Sequence, residues 1–188
     1  RSTLFPYTTL FRSLADDFGI MVYNNPWFAG YELTEREIKM LVEEGVVDSI
    51  KCAHGEVDRV HNLKVSCGDT LTIMYGHDYN MIEGLFAGAD GILTGFPAVF
   101  PKFTRMIYET CAVKKDVDGG REMIARLKPF LDFFYTYKTN DPHWLEIYKY
   151  CLNYQIGYAG VPRLPLGAVR PEAAKLIDGI LKEMEDLL

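Results

Sequence analysis

Positive charge is in short supply in this chain. Twenty lysines and arginines stand against 26 aspartates and glutamates, giving a formal net charge of -6 and a pI of about 5.2. An acidic surface repels phosphate backbones, and no basic patch interleaved with aromatics offsets it, so nucleic acid is not an expected partner. Long apolar runs are missing too. No stretch approaches the roughly 20 residues that span a bilayer, so no membrane partner is expected. Cysteine is sparse: Cys52, Cys67, Cys111 and Cys151 are widely spaced and form no C-x-x-C pair. Free thiols in a reducing cytoplasm are expected rather than a disulfide framework. The four histidines, His54, His61, His77 and His143, show neither H-x-x-x-H nor H-E-x-x-H spacing, so no metal ligand set is expected. Glycine-rich phosphate loops of the G-x-G-x-x-G or G-x-x-x-x-G-K type are absent as well, and no cofactor is implied.

What is present is apolar. Of 188 residues, 48% are hydrophobic and 13% aromatic, enough for one domain with a sizeable core. The first thirteen residues fit no helix or strand period, and Thr3 to Ser13 resembles the in-frame translation of a common DNA-sequencing adapter. Residues 1–13 are therefore set apart from fold reasoning. Native sequence is expected to begin near Leu14, inside something larger.

Four short apolar runs read as buried parallel strands: Ile20–Tyr23, Val46–Lys51, Leu71–Tyr75 and Gly91–Thr94. Helical patterns lie between and after them. Thr34 to Glu44 opens with a capping box, Thr34 and Glu37, and offers Ile38, Leu41 and Val42 to a core. Glu56–Val65, Asp78–Ala87 and Val99–Ala112 follow the later strands. After Asp116 the strand signal stops, and helices are expected over 119–137, 142–157 and 171–188. The alternation predicts an α/β fold with a parallel sheet. Four βα units, residues 14–116, make the C-terminal half of a (β/α)8 TIM barrel, which as a whole needs about 250 residues. Residues 117–188 would be a C-terminal helical extension. An open doubly wound sheet is the competing architecture, but it would want a phosphate loop after its first strand.

Lys51 stands out within this frame. It ends an apolar strand, where lysine is rare unless paired or employed. Tyr23 ends the preceding strand. Barrel sites are built at the C-terminal ends of strands, so Tyr23, Lys51, Gly76 and Leu93 are expected to share one face. A lysine and a tyrosine there suggest an amine nucleophile with a proton relay beside it. The plainer alternative is a rim tyrosine and a lysine reaching out to solvent.

Several motifs carry a family resemblance. Tyr23-Asn24-Asn25-Pro26, continued by Gly30 and Leu33, resembles the Y-N-x-P motif of the dihydrodipicolinate synthase / N-acetylneuraminate lyase family. Ile50-Lys51-x-Ala53-x-Gly55 is similar to its Schiff-base lysine segment, and Gly76 to the glycine after the next strand. Gly88-Ala89-Asp90-Gly91-Ile92-Leu93 resembles its G-A-D-G stretch. Gly157-x-x-Gly160-x-x-Arg163-x-Pro165-Leu166 resembles the link into its last helix. These occur in the family's order from Leu14 to Leu188.

The resemblance implies a (β/α)8 barrel with a helical extension, and class I lyase or aldolase chemistry on pyruvate or another 2-keto acid. Lys51 would form the imine and Tyr23 would relay protons. Gly76, Leu93, Asn25 and Phe28 would bind substrate, with an aldehyde as second reactant. The family's carboxylate-binding arginine, two residues after the motif proline, is replaced here by Phe28 beside Trp27, which favours a more apolar aldehyde. The family's G-x-T/S-G-E segment is not in this sequence, so the chain alone is expected to be inactive. The full-length protein is expected to be a homo-oligomer, a dimer or a tetramer. The alternatives are a hydratase or dehydratase of the same Schiff-base type, and a non-catalytic keto-acid-binding homologue. His54 is expected either to contact substrate or to cap the turn at Gly55. Asp78 is expected to be a helix N-cap or to line a second-substrate pocket with Tyr75 and His77. A thiol nucleophile at Cys52 is disfavoured, because a nearby histidine on the same strand lacks an orienting partner.

Overall fold

In a computed structural model, residues 19–137 and 141–188 are described. The thirteen residues set apart above lie outside them. The chain divides into two compact units, the first ending at Leu93 and the second spanning Thr94–Leu188.

The first unit is built on a parallel sheet. β1 (Met21–Asn24) leads through a short helix, α1 (Pro26–Ala29), to α2 (Glu35–Glu43). β2 (Ser49–Cys52) is followed by α3 (Val57–Cys67), β3 (Thr72–Tyr75) by α4 (Met81–Phe86), and β4 (Gly91–Ile92) completes the sheet. The order is β1-β2-β3-β4, every pair parallel, with no reversal of the kind that marks a doubly wound sheet. Tyr23, Lys51, Met74 and Gly91 align in one row across the four strands.

Local chemistry explains these elements. The Thr34 hydroxyl accepts the Glu37 N–H and the Glu37 carboxylate accepts the Thr34 N–H, the capping box expected from sequence. Ile38 and Leu41 are then buried one turn apart, while Val42 is half-buried. Ile50, Val60, Leu63, Leu71, Ile73 and Met81 complete the apolar interior. Asp90 ties the sheet to its helices. One of its carboxylate oxygens accepts the Ile73 N–H at 2.7 Å and the other accepts Lys64 Nζ at 2.8 Å.

Several boundaries differ from the sequence expectation. Val46 and Val47 are not strand. Their N–H groups donate to the Leu41 carbonyl, closing α2, so the apolar run begins as a helix terminus. The fourth strand is two residues long rather than four. The single helix expected over 99–112 is divided in the second unit into α5 (Phe96–Val99), α6 (Pro101–Ile107) and a π-helical segment, Tyr108–Val113. Pro101 supplies the reason. Phe100 before it has φ -123° and ψ 59°, outside the helical region that a following proline disfavours.

The second unit continues with α7 (Val117–Thr136), α8 (Trp144–Ile156) and α9 (Pro171–Glu183), the last followed by a 3-10 turn. Asp116 caps α7 by accepting the Gly119 N–H. Phe96, Phe100, Phe103 and Phe130 are fully buried and pack ring against ring, with centroids 4.7 Å apart for Phe96 and Phe100 and 5.0 Å for Phe100 and Phe130. The aromatic series at 130–137 thus contributes core through Phe130 and Phe133. No helix among the described residues is long and apolar enough to cross a membrane.

Candidate active site

Strand pairing sets the first relationship. Tyr23 and Lys51 are register partners on β1 and β2, so their side chains leave the sheet on the same face. Lys51 Nζ lies over the Tyr23 ring, 4.1 Å from its centroid. The phenol is 56% exposed and its oxygen accepts a hydrogen bond from Asn25 Nδ2 at 2.9 Å. With that lone pair engaged, the phenol's own proton is left to donate elsewhere.

Asn24, next in the motif, is buried and accepts the Leu33 N–H through Oδ1 at 3.2 Å. The Leu33 carbonyl in turn accepts both Arg59 terminal nitrogens at 2.9 and 2.8 Å. The Tyr-Asn-Asn-Pro segment is therefore fastened to α3 through two hydrogen-bonded steps, which fixes the end of β1 that carries Tyr23.

Gly76 lies just past β3. Its N–H donates to the Cys52 carbonyl at 2.7 Å. A Cβ at this position would stand 2.8 Å from Lys51 Cε and 2.9 Å from the Cys52 oxygen. The absent side chain leaves room for the stem of Lys51. Leu93 follows β4, is exposed, and donates its N–H to the Tyr75 carbonyl at 2.8 Å. Its main-chain donor is thus committed to the sheet.

Cys52 faces away from Lys51, as strand alternation requires, and is buried. Burial pushes its thiol up to about 11, so it is protonated at neutral pH and unsuited to nucleophilic work. Tyr75 is fully buried. Its hydroxyl donates to Asn80 Oδ1 at 2.8 Å, and burial raises its pKa strongly. His77 Nδ1 lies 3.0 Å from the same Asn80 oxygen, and burial lowers the imidazole's pKa. Asp78 opens a 3-10 turn rather than capping it; His77 holds the cap position. Phe28 and Trp27 sit on α1 and are 85% and 74% exposed.

His54 lies beside two carboxylates. It is buried, and Nε2 is 2.9 Å from Glu32 Oε1 and 3.1 Å from Glu56 Oε2. Glu32 also pairs with Arg59 at 2.5 Å. Sequence reading missed Glu32 and Arg59. Glu32 is distant from His54 in the chain and arrives from the preceding connection, whereas Arg59 lies on the helix that follows His54.

The arrangement presents one amine beside one hydrogen-bonded phenol at the C-terminal end of a parallel sheet. That pair is equipped to attack a carbonyl carbon and to move a proton.

Known proteins resemble this chain in sequence and fold. Residues 8–184 match the Dihydrodipicolinate synthetase family. A 4-hydroxy-tetrahydrodipicolinate synthase of Archaeoglobus fulgidus is 27% identical over 166 residues, covering 88% of this chain and 55% of that protein. A crystal structure described as a dihydrodipicolinate synthetase from Pseudomonas aeruginosa superposes with a TM-score of 0.80 at 25% identity, over 95% of this chain and 60% of that one. The sialic acid aldolase of Ruminococcus gnavus shares the fold, with a TM-score of 0.80 at 19% identity over 97% of this chain and 61% of that one. The chain thus spans a little over half the length of these relatives.

Proposed function

Because the chain belongs to the Dihydrodipicolinate synthetase family, we propose that it carries the Schiff-base lysine of a class I lyase acting on pyruvate or another 2-keto acid. In this reading the four-stranded sheet is half of a (β/α)8 barrel formed by residues 14–116, and residues 117–188 are its helical extension. The observation that carries the proposal is the contact between Lys51 and Tyr23 on paired strands.

The chemistry runs as follows. The neutral Lys51 amine adds to the keto carbon and water leaves, giving an imine. Protonation of the imine nitrogen draws electrons from the adjacent carbon, which then gives up a proton. The resulting enamine attacks the carbonyl carbon of an aldehyde, forming a carbon–carbon bond; run backwards, that bond breaks. Water finally releases the amine. Tyr23 moves protons at these steps, its oxygen held by Asn25. The Leu93 carbonyl and the space beside Gly76 orient the keto acid. Phe28 and Trp27 give the second reactant an apolar neighbour in place of a cation, which favours an aldehyde without a carboxylate at that end. The working assembly in this reading is a homo-oligomer in the cytoplasm.

The test is reduction of the full-length protein with borohydride in the presence of pyruvate, read by mass spectrometry. One reduced pyruvate on Lys51, absent from Lys51→Ala, is the expected result. Pyruvate binding without any adduct would instead make the chain a keto-acid-binding protein.

A further inference from the structure

The group formed by Glu32, His54 and Glu56 is not used in the chemistry above. His54 is only 7% exposed, and Nε2 points toward both carboxylates. Neither carboxylate approaches it in hydrogen-bonding geometry, and Nδ1 has no hydrogen-bond partner among the described residues. A buried imidazole with both nitrogens unsatisfied is costly, so something else is expected to engage it.

We propose that Glu32, His54 and Glu56 form a binding site for a divalent transition-metal ion of the zinc type. Donor atoms about 2.1 Å from zinc lie about 3.0–3.4 Å apart for right-angled to tetrahedral geometry. The separations from His54 Nε2, 2.9 and 3.1 Å, match the short end of that range. All three donor atoms lie within 4.8 Å of one another. Glu56 is 58% exposed and turns freely to close the remaining distance, leaving a side open for water. One imidazole and two carboxylates suit zinc or its neighbours better than calcium or magnesium, which prefer oxygen alone.

Arg59 does not displace the ion. Its guanidinium is anchored on the Leu33 carbonyl and pairs with the same Glu32 Oε1 at 2.5 Å, so that one carboxylate oxygen would serve both the guanidinium and the ion. Two carboxylates against one guanidinium leave a negative charge for the cation to neutralise. Sequence spacing hides the site, because Glu32 follows β1 whereas His54 and Glu56 follow β2. An ion there would clamp these two connections, three residues beyond Lys51.

The test uses the full chain stripped by chelator, with zinc chloride titrated calorimetrically and cobalt(II) followed by its visible absorption. One ion per chain is expected, with a rise in the thermal unfolding midpoint. His54→Ala and Glu56→Gln should each weaken binding at least about tenfold. Glu56→Gln alters an exposed side chain and should leave the far-ultraviolet circular dichroism unchanged, so it guards against loss of fold in the histidine variant. Absence of saturable uptake overturns the proposal. So does uptake that survives both substitutions, as binding through cysteine would. Because the readout is metal uptake, its failure is independent of any adduct at Lys51.

Discussion

Lys51 Cε fills the space that a side chain at position 76 would need: a Cβ on Gly76 would approach it to 2.8 Å. The glycine after the third strand and the lysine ending the second are therefore one unit. The other neighbours of that Cβ are main-chain atoms, the Cys52 oxygen at 2.9 Å and Ala53 Cα at 3.1 Å, which cannot turn aside. Gly76→Ala should displace the lysine stem and cost about 1–3 kcal/mol through overpacking. Urea unfolding checks the stability. Adduct formation with pyruvate, reduced at least tenfold relative to the parent, checks the geometry.

Asp90 gives a second expectation. Its carboxylate satisfies the Ile73 N–H inside the sheet and also meets Lys64 at the surface. Asp90→Ala leaves that N–H without its acceptor and should destabilise by about 1–3 kcal/mol. Lys64→Ala removes only a partly exposed ion pair and should cost less than about 1 kcal/mol. Chemical denaturation of the two variants measures the difference, and equal losses would contradict the assignment.

The buried thiols give a pH dependence with a definite sign. Burial raises Cys52 from 9.0 to about 11, so the folded state holds this proton more tightly than the unfolded chain. The stability this contributes is fully present below the unfolded value and is lost as pH rises toward about 11. Cys52→Ala should flatten the decline of stability between those values. In the native chain at pH 8, iodoacetamide should modify half-buried Cys67 well before buried Cys52 or Cys151, whose thiol is pushed up to about 12. Rapid native labelling of Cys52 would contradict the burial.

The sequence was most legible where one local rule decided the outcome. Thr34 and Glu37 announce a helix start because the capping box involves only neighbours in the chain. Tyr23 and Lys51 fall side by side because each ends an apolar run, and parallel pairing does the rest. Legibility failed where a short run served two elements. Val46 and Val47 look like strand, yet their N–H groups close a helix. Pro101 was a readable signal for a break in the fourth helical pattern, since the residue before a proline avoids helical dihedrals. The surroundings of His54 were beyond reach of any local rule, because Glu32 arrives from the preceding βα connection.

The chemical role of Lys51 is tested most directly by borohydride reduction of the full-length protein with pyruvate, followed by peptide mapping. The account predicts a single adduct, located on Lys51, suppressed in Lys51→Ala and slowed in Tyr23→Phe. An adduct on another lysine, or trapping unaffected by Lys51→Ala, would contradict it.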